Sequence, residues 1–334
     1  MRRIGIIFLI ALSIVVVSAC EITSLRNAAV QSGKQVSETR LLLSTYCTVT
    51  IHGSDDYELL KQAFELIEEL EALLSITIEG SDIYRINHAG GEAVSVDSRT
   101  LEVINAGITF GEISGGLFDI TIGRLSRLWD FGNRQHVPDE SEIASAKETV
   151  DYRQIIVGSH SVQLEHPKAK IDLGAIAKGY IANEVAEFLI SQGITSALID
   201  LGGDITTVGS RYNNTPWRIA IRNPFDNIGN WIGIIEITNA SIAASGTYER
   251  RFEDNSVLYH HILDPSTGMP GRSDVVSATV VAESAMIAEG LSTIAILAGS
   301  GSVQEVFEST SGFIGAVLVL DSEEVQIFGD IVFD

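Results

Sequence analysis

Residues 260–270 read HHILDPSTGMP: His260 and His261 lead into Asp264-Pro265 and then Ser266-Thr267-Gly268. Neighbouring imidazoles can form a metal site, a catalytic base with a bystander, or a polar strand end before a tight turn. Adjacent strand residues point to opposite faces, so both rings cannot easily reach one ion. One ring facing a pocket could still take a proton, because imidazole titrates near neutrality. A second stretch, 171–189, reads IDLGAIAKGYIANEVAEFL. Asp172 and Gly174 precede a helix there, and the free N–H groups of a helix start suit a phosphate or another anion. Lys178 lies within reach of such an anion. The spacing is not that of a Walker loop, and Asp172 is as well suited to capping the helix as to chemistry.

Four further stretches carry reactive groups. SGGLFDITIGRLSRLWDFG (114–132) reads as a glycine turn with aromatic core residues in a loop between helix and strand. IDLGGDI (199–205) sets two glycines between acids at a strand end, where Asp204 is either a ligand or a turn former. ASGTYERRF (244–252) offers hydroxyls on a glycine turn, a common phosphate cradle and a common plain turn. AEGLST (288–293) puts Glu289 and Thr293 on one face of an apolar helix. One carboxylate and one hydroxyl make a poor zinc cage but suit Mg²⁺, which takes few protein oxygens and completes its shell with water and phosphates. The alternative is a rim carboxylate, with Thr293 bonded back to its own helix.

These groups need a scaffold. STYCTVTIHG alternates as a strand. The stretch 55–75 repeats apolar residues at helical spacing (Leu59, Leu60, Phe64, Ile67, Leu70, Leu74), which predicts an amphipathic helix with an acidic outer face. Helices are also predicted over 98–114, 140–150 and 175–193, the last capped by Gly193, and over the small-residue run 284–299. Strands are predicted over 196–209, 217–224, 232–245 and 274–282, with a closing hairpin from 315–320 and 324–330. Without strict βαβ alternation, the fold class is α+β, mixed or antiparallel sheets packed with helices in a single catalytic unit spanning 41–334.

The balance of 22 basic against 44 acidic residues, a formal charge of −22, argues against non-specific nucleic-acid binding and adhesion to anionic lipid, both of which rest on Lys and Arg. Membrane attachment must come from elsewhere. MRRIGIIFLIALSIVVVSAC has the basic start, short apolar run and small residues of a signal peptide, and its end resembles a bacterial lipobox. Residues 1–19 are then a lipoprotein signal peptide, Cys20 the lipidated N-terminus, and 20–40 a polar tether. The expected location is a membrane-anchored lipoprotein facing the periplasm or another extracytoplasmic space. Cys47, the other cysteine, reads as a small buried strand residue.

In order along the chain, six segments resemble the ApbE family of FAD:protein FMN transferases: Gly-x-Phe-Asp-x-Thr-x-Gly with Leu-Trp-x-Phe-Gly, Asp-Leu-Gly-x-Ile-Ala-Lys-Gly-Tyr, Leu-Gly-Gly-Asp, Ser-Gly-x-Tyr-x-Arg, His-x-x-Asp-Pro-x-Thr-Gly, and the late helix with Leu-x-Thr. The resemblance implies an ApbE-like (T-fold-like) domain that uses Mg²⁺ to split FAD, joins FMN to a Thr or Ser of a target flavoprotein, and releases AMP. Some members of the family hydrolyse FAD to FMN and AMP instead, and a non-catalytic flavin-binding lipoprotein is a third reading. Carried over by position, the metal ligands are Ala175, Glu289 and Thr293. The flavin contacts are Leu43, Thr77, Leu117, Phe118, Asp119, Asp172, Lys178, His261 and Ile262. His261, three residues before Asp264, becomes the base for the acceptor hydroxyl, Lys178 the neutralising cation, and His260 a structural neighbour. Glu289 stands where the family usually has Asp, and Leu43 and Thr77 stand where it often has Met and an aromatic.

Overall fold

A computed structural model describes residues 33–211, 213–226 and 229–334. The expected leader and Cys20 lie outside these residues. β1 (Gln35–Leu42) and β2 (Thr45–His52) open the fold as an antiparallel hairpin in register from Gln35↔His52 to Leu42↔Thr45. Gln35–Arg40 were expected within the tether and instead pair as an edge strand. One face of that hairpin is a hydroxyl ladder, Ser37 on Thr50 at 2.7 Å and Thr39 on Thr48 at 2.8 Å. The polar face of an edge strand resembles tether in composition. The other face turns Cys47, Val49 and Ile51 wholly inward.

α1 (Tyr57–Leu74) follows the predicted stripe, capped by Asp56, which accepts the N–H groups of Glu58 and Leu59. Its buried Leu60, Phe64, Ile67 and Leu70 each contribute about 1.5–3 kcal/mol of burial. Then come α2 (Asp82–His88), β3 (Val94–Ser95), α3 (Ser98–Ile113), α4 (Gly123–Trp129) and α5 (Glu140–Lys147). β4 (Ile155–Val157), β5 (Ser161–Leu164) and β3 form a small sheet.

α6 (Ala177–Ser191), β6 (Ala197–Leu201), β7 (Asp204–Val208), β8 (Trp217–Arg222), β9 (Trp231–Ile237) and β10 (Ser241–Gly246) follow. β11 (Arg251–Asp254) and β12 (Val257–His260) make a separate hairpin. β13 (Val275–Ala282), α7 (Ala285–Ala298), α8 (Val303–Ser309), β14 (Phe313–Leu320) and β15 (Val325–Gly329) complete the chain.

The main sheet has eight strands in the order β1-β2-β6-β7-β10-β13-β14-β15, with every neighbouring pair antiparallel. The α+β expectation holds. One large core joins this sheet to α1, α6 and α7 through residues such as Ile199, Ala278, Val185 and Leu291. A second cluster sets Trp217, Ile221 and Ile235 of the β8–β9 hairpin on Ile242, Val281 and Val317. A third packs Leu125, Trp129 and Ile143 with Phe252 and Leu263 beside the β11–β12 hairpin. The 114–132 stretch was expected to be loop, but its RLSRLW run closes a helical turn as α4. Among the described residues no helix is long and apolar enough to cross a membrane.

Candidate active site

Lys178 sits in the first turn of α6, and Glu289 sits midway along α7. The two helices cross closely because Gly179 has no side chain: a Cβ there would fall 2.6 Å from the backbone of Ala285 and Met286. The crossing lets the Lys178 ammonium donate to Glu289 Oε1 and to Asp204 Oδ2 at the start of β7. Glu289 Oε2 accepts the Gly179 N–H at 2.8 Å. Asp204 Oδ1 accepts the Ala244 N–H at 3.2 Å, which ties β7 to β10. On the β10 side Ser245 Oγ lies 2.8 Å from Ser292 Oγ and 3.3 Å from Thr293 Oγ1. Thr293 therefore faces Ser245, and it is Ser292 that bonds back within the helix, to the Glu289 carbonyl at 2.9 Å.

Two buried carboxylates share one ammonium, so the cluster is negative by one charge. Burial pulls the Lys178 ammonium down, but Glu289 and Asp204 beside it outweigh burial and hold it above its ordinary range. Burial raises Glu289, Lys178 pulls it back, and Asp204 pushes it up again; the direction is upward. The helix dipole was expected to hold an anion against Lys178. Among the described residues the lysine is instead committed to carboxylates.

Asp172 does not cap α6. The N-cap is Ile176, without a side-chain bond, and Asp172 Oδ1 accepts the Gly174 N–H at 2.9 Å in a turn ahead of the helix. The Asp172 N–H donates to the Ile120 carbonyl at 2.8 Å, which joins this turn to the Leu117–Asp119 segment. Phe118 is buried and tilted against Phe110, with ring centroids 5.4 Å apart. Asp119 is buried and organises its own turn: Oδ1 accepts from the Thr121 N–H and hydroxyl, and Oδ2 from the Tyr152 N–H. Those bonds occupy its carboxylate. Burial raises its pKa, and the Thr121 and Tyr152 bonds oppose that rise.

The histidines differ in burial and in one partner, and Nδ1 of each is buried without a hydrogen-bond partner. His260 is buried, with Nε2 2.9 Å from the Gly271 carbonyl. His261 is half-buried, its Nδ1 has no hydrogen-bond partner, and it lies within the field of Lys178. Burial, then Arg250 and His260, push its pKa down to about 4. Asp264–Gly268 forms the expected turn, closed by the Gly268 N–H on the Asp264 carbonyl at 2.8 Å. Gly268 has φ +73°, and a Cβ there would meet Ile143 at 2.8 Å. Trp129 of α4 pins the turn by donating Nε1–H to the Gly268 carbonyl at 2.8 Å. Ile262, next along, is buried in the main core.

Leu43 occupies the β1–β2 turn at φ 53°, its N–H held by Glu71 Oε1 at 3.0 Å. Nearby Cys47 is buried and raised to about 11, first by burial, and it also feels Glu71, Asp200 and Lys178. Thr77 is exposed beyond α1, its hydroxyl 3.1 Å from Ser75 Oγ. No contact joins Thr77 to the Lys178 cluster among the described residues. Sequence reasoning left Asp204 undecided, read Ser245 as a turn hydroxyl with a phosphate cradle as one option, and did not single out Ser292. The signals were the Leu-Gly-Gly-Asp and Ser-Gly-Thr segments, whose partners lie 26 to 48 residues away.

The family model described as the ApbE family matches residues 43–318. The chain belongs to the ApbE family. An ApbE relative of Treponema pallidum, named FAD:protein FMN transferase, is 31% identical over 287 residues, covering 80% of this chain and 79% of its own. A Vibrio cholerae protein of the same name is 34% identical over 244 residues, covering 72% and 73%. The crystal structure of the ApbE protein of Thermotoga maritima superposes with a TM-score of 0.81 at 30% identity, covering 89% of this chain and 97% of that one. The flavin transferase ApbE of Vibrio cholerae gives 0.79 at 28%, covering 88% and 96%.

Proposed function

We propose that this chain is a transferase that moves FMN from FAD to a Thr or Ser hydroxyl of a target flavoprotein. The hydroxyl oxygen forms the new bond to the FMN phosphorus, the P–O–P bridge breaks, and AMP leaves with the bridging electron pair. His261 takes the hydroxyl proton, its ring neutral at physiological pH because burial keeps its pKa low. Lys178 offsets one of the two buried carboxylates, Glu289 and Asp204, at a site where phosphoryl transfer needs charge neutralisation more than covalent help.

The donor set fits Mg²⁺. Glu289, Thr293 and the Ala175 carbonyl are hard oxygen donors, and Asp204 adds negative charge. The Gly179 N–H, the natural helical donor to the Ala175 carbonyl, goes to Glu289 instead, so that carbonyl keeps its lone pairs for another partner. When bound, the ion supplies further neutralisation of the phosphate oxygens. The observation that carries this reading is the buried Lys178–Glu289–Asp204 cluster, in a chain of this family.

Incubation with FAD, Mg²⁺ and a target domain carrying the acceptor Thr tests it. Covalent flavin on the target supports transfer. Free FMN and AMP with no flavin on the target makes the chain an FAD pyrophosphatase, and intact FAD throughout makes it a flavin-binding protein without activity. We also infer that residues 1–19 are removed and that lipid on Cys20 holds the 41–334 catalytic unit at an extracytoplasmic membrane face. Cys20→Ser should abolish palmitate incorporation and release the protein from the membrane fraction; retention of both would refute the anchor.

A further inference from the structure

About half of the described cations of this acidic chain are committed to carboxylates, such as Lys34 on Asp55, Lys61 on Glu65 and Arg153 on Asp151. Arg124, Arg127 and Lys170 form no ion pair among the described residues. Arg124 and Arg127 are i and i+3 on α4 and share one helix face. Lys170 lies alongside through the parallel bridge Ile122↔Lys170. Together with Ser141, Ser145 and Glu142 they line an open cleft of about 560 Å³ between α4 and α5. Three like charges in one cleft repel each other, and Lys170 registers it: burial, then Arg127 and Arg124, lower its pKa.

The arrangement does not resemble a cradle for a small anion. Such cradles gather backbone N–H groups and buried donors at one point. Here the Arg124 head is anchored on the Ser145 carbonyl at 2.8 Å and the Lys170 head on the Asn87 carbonyl at 2.7 Å. Arg127 is exposed and makes no hydrogen bond among the described residues. The charges are spread along the cleft, with Arg124 and Lys170 half-buried and Arg127 open to solvent for a protein partner. The cleft also adjoins the flavin elements. Lys170 is two residues before Asp172 and on the same side of that extended segment, and α4 begins four residues after Asp119. With a net charge of −22, most of the remaining surface repels an acidic partner, so a basic cleft beside the site sets the partner's orientation as well as attracting it.

We propose that this cleft docks an acidic segment of the acceptor protein and so presents its hydroxyl to the flavin site. The inference rests on the transferase reading. Its test uses the full chain, the target domain of the transfer assay, and a rhodamine-labelled aspartate-rich peptide with its asparagine counterpart. Arg127→Glu should raise the KM for the target by about five-fold or more and leave the KM for FAD unchanged, while Arg127→Lys stays near wild type. The aspartate peptide should bind wild type and not Arg127→Glu, and the asparagine peptide should bind neither. A thermal melt of the variant, expected to match wild type because Arg127 is exposed, separates lost docking from lost folding, and Arg127→Ala serves in its place if it does not. An unchanged target KM overturns the proposal. So does a parallel rise in the KM for FAD, which would give the cleft to FAD phosphates, or equal binding of the two peptides. A wild-type chain that labels no target removes the transferase reading and this inference with it.

Discussion

His260 and His261 are adjacent, but the proposed function gives them different work. His260→Ala deletes a buried bond to the Gly271 carbonyl, which should cost about 1–3 kcal/mol of stability while transfer persists. His261→Ala should keep the fold and lose transfer by about 10²-fold or more. Covalent labelling of the target together with thermal melts of both variants checks the division; equal loss of transfer in two folded variants would refute it. His261 also sets a pH dependence. Its pKa falls from 6.5 unfolded to about 4 folded, so between those values the unfolded chain binds more protons. The stability it contributes is complete above about pH 6.5 and is lost as pH falls toward 4, on the order of 1–3 kcal/mol. Denaturant titrations at pH 7 and near pH 4.5 should therefore show a smaller acid loss in His261→Asn than in wild type. The different burial of the two neighbouring histidines was legible from strand alternation. The capture of Lys178 by Asp204 was not, because it depends on β7 meeting α6 and α7 in space.

The α6–α7 crossing is the element on which the site depends. Gly179→Ala would drive a methyl into the Ala285–Met286 backbone, which cannot give as a side chain can. It should lower stability by about 1–3 kcal/mol and cut transfer more steeply, because the Gly179 N–H and the Lys178 ammonium are both displaced from Glu289. Denaturant unfolding and labelling rates measured on the same preparation test this; a stable, fully active Gly179→Ala would show that the crossing has slack. The missing side chain of Gly290, next to Glu289, makes room for the Phe110 ring, 2.7 Å from where a Cβ would stand. Long periodic elements such as α1 were legible because one stripe of apolar residues dictates them. α4 and the β11–β12 hairpin were not, since they are short and owe their form to the aromatic cluster of Trp129, Phe131, Phe252 and Tyr259. β1 was hidden for the opposite reason: an edge strand with Ser and Thr outward carries no hydrophobic signal.

At the scale of the whole molecule, charge is the property most plainly written in the composition. The 44 acids include the outer face of α1, where Glu58, Glu65, Glu68 and Glu69 lie along one helix. Arg40, Lys61 and Arg99 offset only some of them, and exposed pairs of this kind are worth about 0–1 kcal/mol each. Self-repulsion therefore opposes the compact state, and salt relieves it over the Debye length, which shrinks from about 30 Å at 0.01 M to about 8 Å at physiological strength. Raising NaCl from about 0.01 M to about 0.3 M should raise the melting temperature by a few degrees. Docking at the Arg124–Arg127–Lys170 cleft responds in the opposite sense, since screening weakens its pull on an acidic partner and raises the KM for the target. The two effects separate in one salt series that records melting temperature and labelling rate at subsaturating target. A melting temperature that falls with salt would show that local ion pairs, rather than net repulsion, govern the stability of this chain.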